Sequence, residues 1–210
     1  MDIYEALYTT RAMRRMKTDP IPKDAQARIL DAAIRAPNIG QEWRFILVDD
    51  ETVKAQLATL YLQAWELLFS HYGVNLADLL SLDTKEGRMA RSGNHLAHHF
   101  QEVPLVLIGF ARTREGSGIY PALWSAMLAA RAEGIGSVLT GVLQSFKANE
   151  VFDLLGAPKD AGWYLHGVVP IGYPKGRWGV APRKPVHEVA ARNAWEGDLG
   201  ITVAEPLWQG

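Results

Sequence analysis

The spacing of apolar positions along the chain predicts helices that alternate with short strands. Apolar residues recur every three or four positions in some segments, which is typical of helices, and form continuous runs in others, which is typical of buried strands. The predicted helices cover residues 3–10, 23–36, 53–70, 95–103, 120–133 and 150–155, and the predicted strands cover residues 43–48, 104–111, 136–141 and 163–174. This order indicates an α+β protein in which helices cover a sheet.

Residues that favour helix ends mark several of these boundaries. Asp2, with Glu5 three residues later, is expected to cap the first helix, and Asn149 is expected to cap the last. Gly134 and Gly156 stand at the position where glycine commonly ends a helix. The second helix is expected to face the protein core with four residues: Ile29, Leu30, Ala33 and Ile34.

The helix over residues 53–70 is apolar around most of its circumference, which is typical of a helix buried in a core or a subunit interface. Its aromatic residues are interpreted as core or interface residues rather than as a surface that stacks on a cofactor. The next segment, Gly73–Asn94, is expected to be an irregular, mobile lid that influences substrate choice. The aromatic residues concerned are Tyr61, Trp65, Phe69 and Tyr72.

Composition limits the classes of function. The 210 residues suit one domain, and the formal net charge of −1 argues against a surface that covers duplex nucleic acid. No apolar run is long enough for a membrane span, and the N-terminal residues do not form a secretion signal. The absence of cysteine excludes disulfides and a cysteine nucleophile. We expect a single domain over residues 1–210, located in the cytoplasm, without membrane or nucleic-acid partners.

The stretch TTRAMRRM, residues 9–16, places Arg11, Arg14 and Arg15 within five positions. Guanidinium groups suit bidentate contact with phosphate, and a phosphomonoester carries roughly −1.5 to −2 charges, enough to hold several of them together. A second basic pair, Arg183 and Lys184, stands between prolines in the tail. Both elements are also compatible with a solvated surface, and the sequence alone leaves that alternative open.

A short polar loop in APNIGQEWRF, residues 36–45, follows the second helix, which Pro37 stops. Asn38 and Gln41 offer amide donors and acceptors, and Gly40 leaves the backbone free of side-chain bulk. These properties suit a flat heterocycle with imide edges. An ordinary turn explains the same residues equally well.

Other chemistries find little support in the sequence. His98 and His99 lie three and four positions after His95 in a predicted helix, a spacing that suits metal ligands. Glu102 is the one acidic residue at a spacing suited to the same ion. The histidines are therefore interpreted as structural or surface residues rather than as a metal site. The glycines of GIGSVLTG precede a strand instead of following one, which excludes a dinucleotide-binding fingerprint. No nucleophilic serine motif is present.

Several motifs together resemble the nitroreductase family of FMN enzymes along nearly the whole chain. Their amino-acid sequences are most similar to an actinobacterial-like subgroup of that family. The motifs are TTRAMRRMKTDPIP, APNIGQEWRFILV, HLAHHFQEVPLVLIGF, GSGIYPALWSAMLAARAEGIGSVLTG and PIGYPKGRWGVAPRKPVHEV. The resemblance implies a mixed β-sheet flanked by helices. It also implies an intertwined homodimer, with a C-terminal extension over residues 173–210 that reaches the partner and an FMN in each interface site.

Carried over by residue, the resemblance assigns the basic segments to the flavin. Arg11 and either Arg14 or Arg15 would meet the ribityl phosphate and the pyrimidine edge of the ring. Arg183 would meet the phosphate, with Lys184 beside it. Ala12 and Met13 would contribute mainly backbone groups.

The resemblance also assigns two loops. Pro37, Asn38 and Gln41 would come from the partner subunit and touch the ring or the ribityl chain. Leu139, Thr140 and Gly141 match the loop that lies near the flavin N5.

The chain departs from the family pattern at several positions. Alanine stands at position 12 in place of serine or aspartate, Thr10 replaces a basic residue, and Glu42 replaces a proline. Trp124 and Ser125 stand where many members have Gln-Asn. These changes leave flavin binding as the expectation and make the substrate side of the pocket harder to infer.

The implied activity is hydride transfer from NADH or NADPH through FMN to an electron-poor small molecule, such as a nitroaromatic or a quinone, with ping-pong kinetics. Arg14 is the candidate cation that stabilises the reduced flavin, and no protein acid or base is assigned. The alternatives are flavin cleavage, reductive dehalogenation, or a flavin-binding protein without turnover.

Overall fold

The computed structural model describes residues 1–203 and 205–208 and divides the chain into two compact units. The larger unit is Arg11–Arg177, and the smaller one joins Met1–Thr10 to the C-terminal residues from Trp178. Ala204, Gln209 and Gly210 belong to the predicted C-terminal extension and lie outside the described residues. A single domain over residues 1–210 therefore stays a prediction.

A sheet of four strands forms the centre of the larger unit, in the order β1-β2-β4-β3. The strands are β1 (Trp43–Val48), β2 (Leu105–Ala111), β3 (Gly136–Ser137) and β4 (Tyr164–Gly172). All three ladders are antiparallel, and a parallel bridge from Ala12 to Ser137 gives the sheet edge its mixed character. The α+β class predicted from the sequence is confirmed.

Position in the sheet decides how deeply each strand is buried. β2 lies between two neighbours and is buried along its whole length. β1 is an edge strand in which Val48 alone is fully buried. The expectation of a buried strand over residues 43–48 was wrong in this respect, because an edge strand lacks a neighbour on one side.

Helices cover both faces of this sheet. In the larger unit the helices are, in chain order, α2 (Lys23–Ala33), α3 (Glu51–His71), α4 (Leu76–Ser81), α5 (Lys85–His98), α6 (Ile119–Ala132), α7 (Val142–Phe146) and α8 (Ala148–Leu155), while α1 (Ile3–Thr9) belongs to the smaller unit. On one face, α2 and α6 pack over Leu107 and Val169. On the other, the ring of Phe110 meets Phe152 of α8 edge-on, with centroids 5.2 Å apart.

Several predicted helix ends are confirmed. In the smaller unit, the Asp2 carboxylate accepts the N–H of Glu5 at 2.8 Å and caps α1, which ends at Thr9. Gly134 and Gly156 follow α6 and α8 with φ of 73° and 62°, the left-handed conformation that glycine adopts without strain.

Other boundaries differ from the prediction. α7 was not predicted, and α8 begins at Ala148 with Lys147 in the cap position, so Asn149 is not its cap. α5 ends at His98, short of the expected residue 103. Ile34 lies just past the end of α2 and is 45% exposed instead of inward-facing.

Most of Gly73–Asn94 is helical, so the expectation of an irregular segment was wrong. Side-chain oxygens of Asn75 and Thr84 accept N–H bonds in the first turns of α4 and α5 and thereby start both helices. α5 is then held against α3, because Gly93 lies directly on the indole of Trp65 and the indole N–H donates to the Asn94 Oδ1 at 3.1 Å. The helices of this segment thus depend on two caps and one close contact between helices. The spacing of apolar residues in the sequence did not reveal them.

Replacing Gly93 with alanine should destabilise the protein by about 1–3 kcal/mol, because an added Cβ overlaps the buried Trp65 indole. Urea unfolding measures the change. Gly179→Ala is the matched control, since nothing lies within 4 Å of a Cβ added there. Equal stability of the Gly93→Ala variant and the wild type would show that α5 does not pack on α3 in this way.

Candidate functional site

The arginine segment is attached to the sheet edge through its backbone. The N–H of Met13 donates to the Ser137 carbonyl at 3.0 Å, and the N–H of Lys17 donates to the Tyr173 carbonyl at 2.8 Å. These two bonds fix the start and the end of the segment beside β3 and β4. The guanidinium groups between them therefore extend from a fixed backbone.

Glycines on the sheet allow this close approach. A Cβ on Gly136 would lie 2.9 Å from the Met13 Cβ, and one on Gly172 would lie 3.0 Å from the Met16 Cβ. Met13 and Met16 are both buried, at 7% exposure each. Because these methionines anchor the segment inward, Arg14 is held between two fixed points.

Arg14 lines a cavity of about 430 Å³ together with Leu139, Thr140 and Gly141. The structure thus brings together one arginine of the predicted cluster and all three residues of the predicted 139–141 loop. The other lining residues come from α3, α4 and α5 and from the residues beside the 139–141 loop. They include Tyr61, Trp65, Phe69, Leu79 and Met89.

Arg14 lines this cavity together with one acidic residue, Glu86 of α5. Burial lowers the pKa of Arg14 below its usual range, an effect that nearby Tyr61 partly opposes, but a guanidinium still stays protonated at neutral pH. Within residues 1–203 and 205–208, no carboxylate forms an ion pair with it. A half-buried cation of this kind favours an anionic or electron-rich ligand.

Tyr61 lies beside Thr140 in the cavity wall and is 2% exposed. Its hydroxyl lies 3.1 Å from the Thr140 Oγ1, and its ring stacks on Phe100 with centroids 4.5 Å apart. Burial raises the pKa of Tyr61, and the hydrogen bond to Thr140 and the charge of Arg14 oppose that rise. The phenol is therefore neutral at physiological pH.

The sequence interpretation placed Tyr61, Trp65 and Phe69 in a core or interface and did not assign them to a pocket. Their spacing of four residues puts all three on one face of α3, and that face forms a cavity wall. This spacing was the available signal. It did not separate a pocket wall from a core, because both are apolar and aromatic.

The other members of the arginine segment have different surroundings. Arg11 and Ala12 are exposed. Arg15 is also exposed, and its Nη1 lies 3.2 Å from the His95 Nδ1. Because guanidinium only donates, the His95 Nδ1 is the acceptor of this bond and carries no proton there.

The 37–41 loop does not contribute to this cavity within one chain. The Asn38 Oδ1 accepts the N–H of Gln41 at 3.0 Å, and Gln41 has a positive φ of 52°. Pro37, Asn38 and Gln41 are not among the residues that line the cavity around Arg14. Their assignment to a partner's site stays a prediction.

Arg183 and Lys184 belong to the smaller unit. There they line a separate cavity of about 310 Å³ with Leu7 and Tyr8 of α1, and the Arg183 Nη1 donates to the Pro182 carbonyl at 3.0 Å. Their predicted role at a phosphate stays a prediction.

The histidine cluster has local partners of its own. The rings of His95 and His99 stack with centroids 4.2 Å apart, and the His99 Nδ1 lies 2.7 Å from the Glu102 Oε1. In the part of the chain that the structure describes, no group of three histidines or carboxylates could hold a metal ion. A membrane-crossing helix is likewise not found among those residues.

Comparison with known proteins places the chain in a family. Residues 7–173 match the model of the nitroreductase family. A protein of Thermus thermophilus named NADH dehydrogenase is 26% identical over 200 residues, which cover 90% of this chain and 95% of that protein. The chain belongs to the nitroreductase family, as the sequence motifs predicted.

Solved structures agree on the fold. Oxidized iodotyrosine deiodinase bound to FMN and 3-iodo-L-tyrosine superposes with a TM-score of 0.71 at 22% identity, covering 92% of this chain and 99% of that one. The FMN-dependent nitroreductase NfnB of Mycobacterium smegmatis, in complex with NADPH, gives a TM-score of 0.68 at 21% identity, covering 89% and 95%. The nitroreductase fold is thereby confirmed.

Replacing Arg15 with methionine should raise the pKa of His95. Burial is the largest cause that lowers this pKa, the charge of Arg15 is the next, and His99 and Lys175 add to it, while Glu102 acts in the opposite direction. Removing Arg15 removes one repulsive charge and frees Nδ1 to bind a proton. Proton NMR of the His95 ring across a pH series measures the shift.

Arg88→Met is the control for this measurement, because Arg88 is an exposed arginine of α5 whose charge is not a cause of the His95 shift. An unchanged or lower His95 pKa in the Arg15→Met variant would contradict the contact.

Proposed function

We propose that this protein is an FMN-dependent oxidoreductase that passes hydride from NADH or NADPH, through the flavin, to electron-poor small molecules such as nitroaromatics or quinones. The proposal rests on the cavity around Arg14 and on family membership. Two related structures point the same way, since one holds FMN and the other is an FMN-dependent enzyme in complex with NADPH.

The observation that carries the proposal is the half-buried guanidinium of Arg14 at a cavity wall, where it forms no ion pair with a carboxylate of the described residues, although Glu86 lines the same cavity. An isolated half-buried cation is costly in the free protein, so its position favours a ligand that compensates the charge. The pyrimidine edge of a flavin has carbonyl oxygens and gains negative charge on reduction. Arg14 suits that edge, and Arg11, exposed on the same fixed segment, is available to the phosphate.

The rest of the cavity suits the flat faces of an aromatic ring. Trp65, Phe69 and Leu139 give it apolar walls, while Thr140 offers a hydroxyl at one edge. A planar heterocycle needs this combination of apolar faces and a polar rim. Leu79 and Met89 bring α4 and α5 to the cavity wall, so we assign substrate choice to these helices.

A homodimer would complete the site. Ile39, in the loop predicted to reach the partner's flavin, is fully exposed at 103%, and Trp124 is 40% exposed. Both side chains are therefore accessible to a partner subunit. We propose that the partner's Pro37, Asn38 and Gln41 close each cavity, that the tail with Arg183 and Lys184 reaches the FMN phosphate, and that the dimer works in the cytoplasm.

FMN, when bound, supplies the hydride and electron transfer. The chain's own residues bind and orient the reactants: Arg14 stabilises negative charge at the ring, and the aromatic wall formed by Trp65 and Phe69 limits the access of water. Because one cavity serves both the nicotinamide and the acceptor, they react in turn, which gives ping-pong kinetics.

Anaerobic reduction of the purified, FMN-loaded protein tests the function. We expect NADH or NADPH to bleach the flavin absorbance, and a nitroaromatic or quinone to restore it. A yellow protein that neither nicotinamide bleaches would instead be a flavin-binding protein without turnover. Iodide release from an iodophenol, or loss of the flavin itself under oxygen, would indicate dehalogenation or flavin cleavage.

Arg14→Gln should weaken FMN binding by about ten- to a hundredfold, because a hydrogen bond to a charged group contributes about 1.5–3 kcal/mol. Quenching of FMN fluorescence by the apoprotein measures the affinity. Arg28→Gln is the matched control, since Arg28 is exposed and pairs with Glu133 away from the cavity. Equal FMN affinity of Arg14→Gln and the wild type would remove Arg14 from the site.

A further inference from the structure

Tyr61 is a buried residue of the cavity wall, and its hydroxyl has one hydrogen-bond partner among the described residues, the Oγ1 of Thr140 at 3.1 Å. Either hydroxyl could donate in this pair; we assign the phenol as the donor, because it is the stronger acid and, at 2% exposure against 9% for Thr140, the less accessible of the two. The neutral state of Tyr61 keeps this hydrogen in place.

The Thr140 oxygen has a second donor. The N–H of Val142 lies 3.4 Å from it, a weaker contact. A hydroxyl oxygen accepts two hydrogen bonds and donates one. Tyr61 and Val142 occupy both acceptor positions of the Thr140 oxygen. The hydroxyl hydrogen of Thr140 is then free to point into the cavity that Thr140 lines.

Two further contacts make this arrangement rigid. The Tyr61 ring is held by its stack on Phe100, which is fully buried. The backbone of Thr140 is fixed by reciprocal bonds with Val168 of β4, at 2.9 Å and 3.0 Å. Both ends of the side-chain hydrogen bond therefore belong to elements that do not depend on a ligand for their position.

We propose that Tyr61 is a positioning residue, which donates to the Thr140 Oγ1 and so directs the Thr140 hydroxyl hydrogen into the cavity as a donor to the flavin ring. This inference rests on the proposed function, because it needs FMN in the cavity around Arg14. Tyr61 lines the same cavity, but the role assigned to its hydroxyl is to hold Thr140. Its effect passes through one hydroxyl.

Tyr61→Phe tests the proposal, since it keeps the ring and its stack on Phe100 and removes only the donor. We expect a roughly five- to tenfold loss of FMN affinity and a change in the midpoint potential of the bound flavin. Thr140→Val should give the same two changes. The double variant should be no worse than either single one, because both remove the same donor.

Two controls separate positioning from general damage. Tyr120→Phe removes another phenol, whose hydroxyl donates to the His166 carbonyl at 3.0 Å outside this cavity, and should leave both affinity and potential unchanged. Thr140→Ser keeps the hydroxyl and should behave like the wild type. If Tyr61→Phe does not fold, as judged by circular dichroism, the contrast between Thr140→Ser and Thr140→Val still decides whether the hydroxyl acts on the flavin.

The outcomes are distinct. Wild-type affinity and potential in Tyr61→Phe, or effects of Tyr61→Phe and Thr140→Val that multiply in the double variant, would overturn the positioning role and leave the proposed function intact. Equal behaviour of Thr140→Ser and Thr140→Val would also overturn it. A wild-type protein that binds no FMN would overturn both.

Discussion

The backbone bond from Met13 to Ser137 is the contact on which the candidate site depends. It attaches a loop rich in arginine to the sheet edge at the point where β3 gives way to the 139–141 loop. Gly136 makes the contact possible, because a side chain there would overlap Met13. Without this attachment Arg14 would be a solvated arginine on a flexible chain, and the cavity would lose its charged wall.

The same attachment explains why the free protein holds an arginine in a position that is unfavourable in itself. Burying a cation without a counterion lowers stability, and the core of α2, α6 and the sheet compensates for that cost elsewhere in the larger unit. A fixed, unpaired charge needs no rearrangement when a ligand arrives. The site is thus preorganised by the fold rather than by the ligand.

Much of the fold could be predicted because its elements carry local signals. The apolar run of β2 and the glycines after α6 and α8 report burial and helix ends directly in the sequence. The helices within Gly73–Asn94 could not be predicted from periodicity, because they depend on caps at Asn75 and Thr84 and on one distant contact, between Gly93 and Trp65.

The candidate site likewise has some residues that local sequence signals identify and others that depend on distant contacts. The arginine cluster and the 139–141 loop were recognisable as motifs, and the structure brings Arg14 and that loop to one cavity. Tyr61 was not recognisable, because a buried aromatic residue on an apolar helix has the same pattern whether it fills a core or supports a pocket. Its role depends on a partner 79 positions away, and such a contact exists only in the folded chain.

A crystal structure of the protein grown with FMN tests the central claim most directly. We expect density for the flavin ring in the cavity between the arginine segment and α3, with the Arg14 guanidinium at the pyrimidine edge and the Thr140 hydroxyl within hydrogen-bond distance of the ring. A flavin bound elsewhere, or an Arg14 side chain that points into solvent beside a bound flavin, would contradict the account.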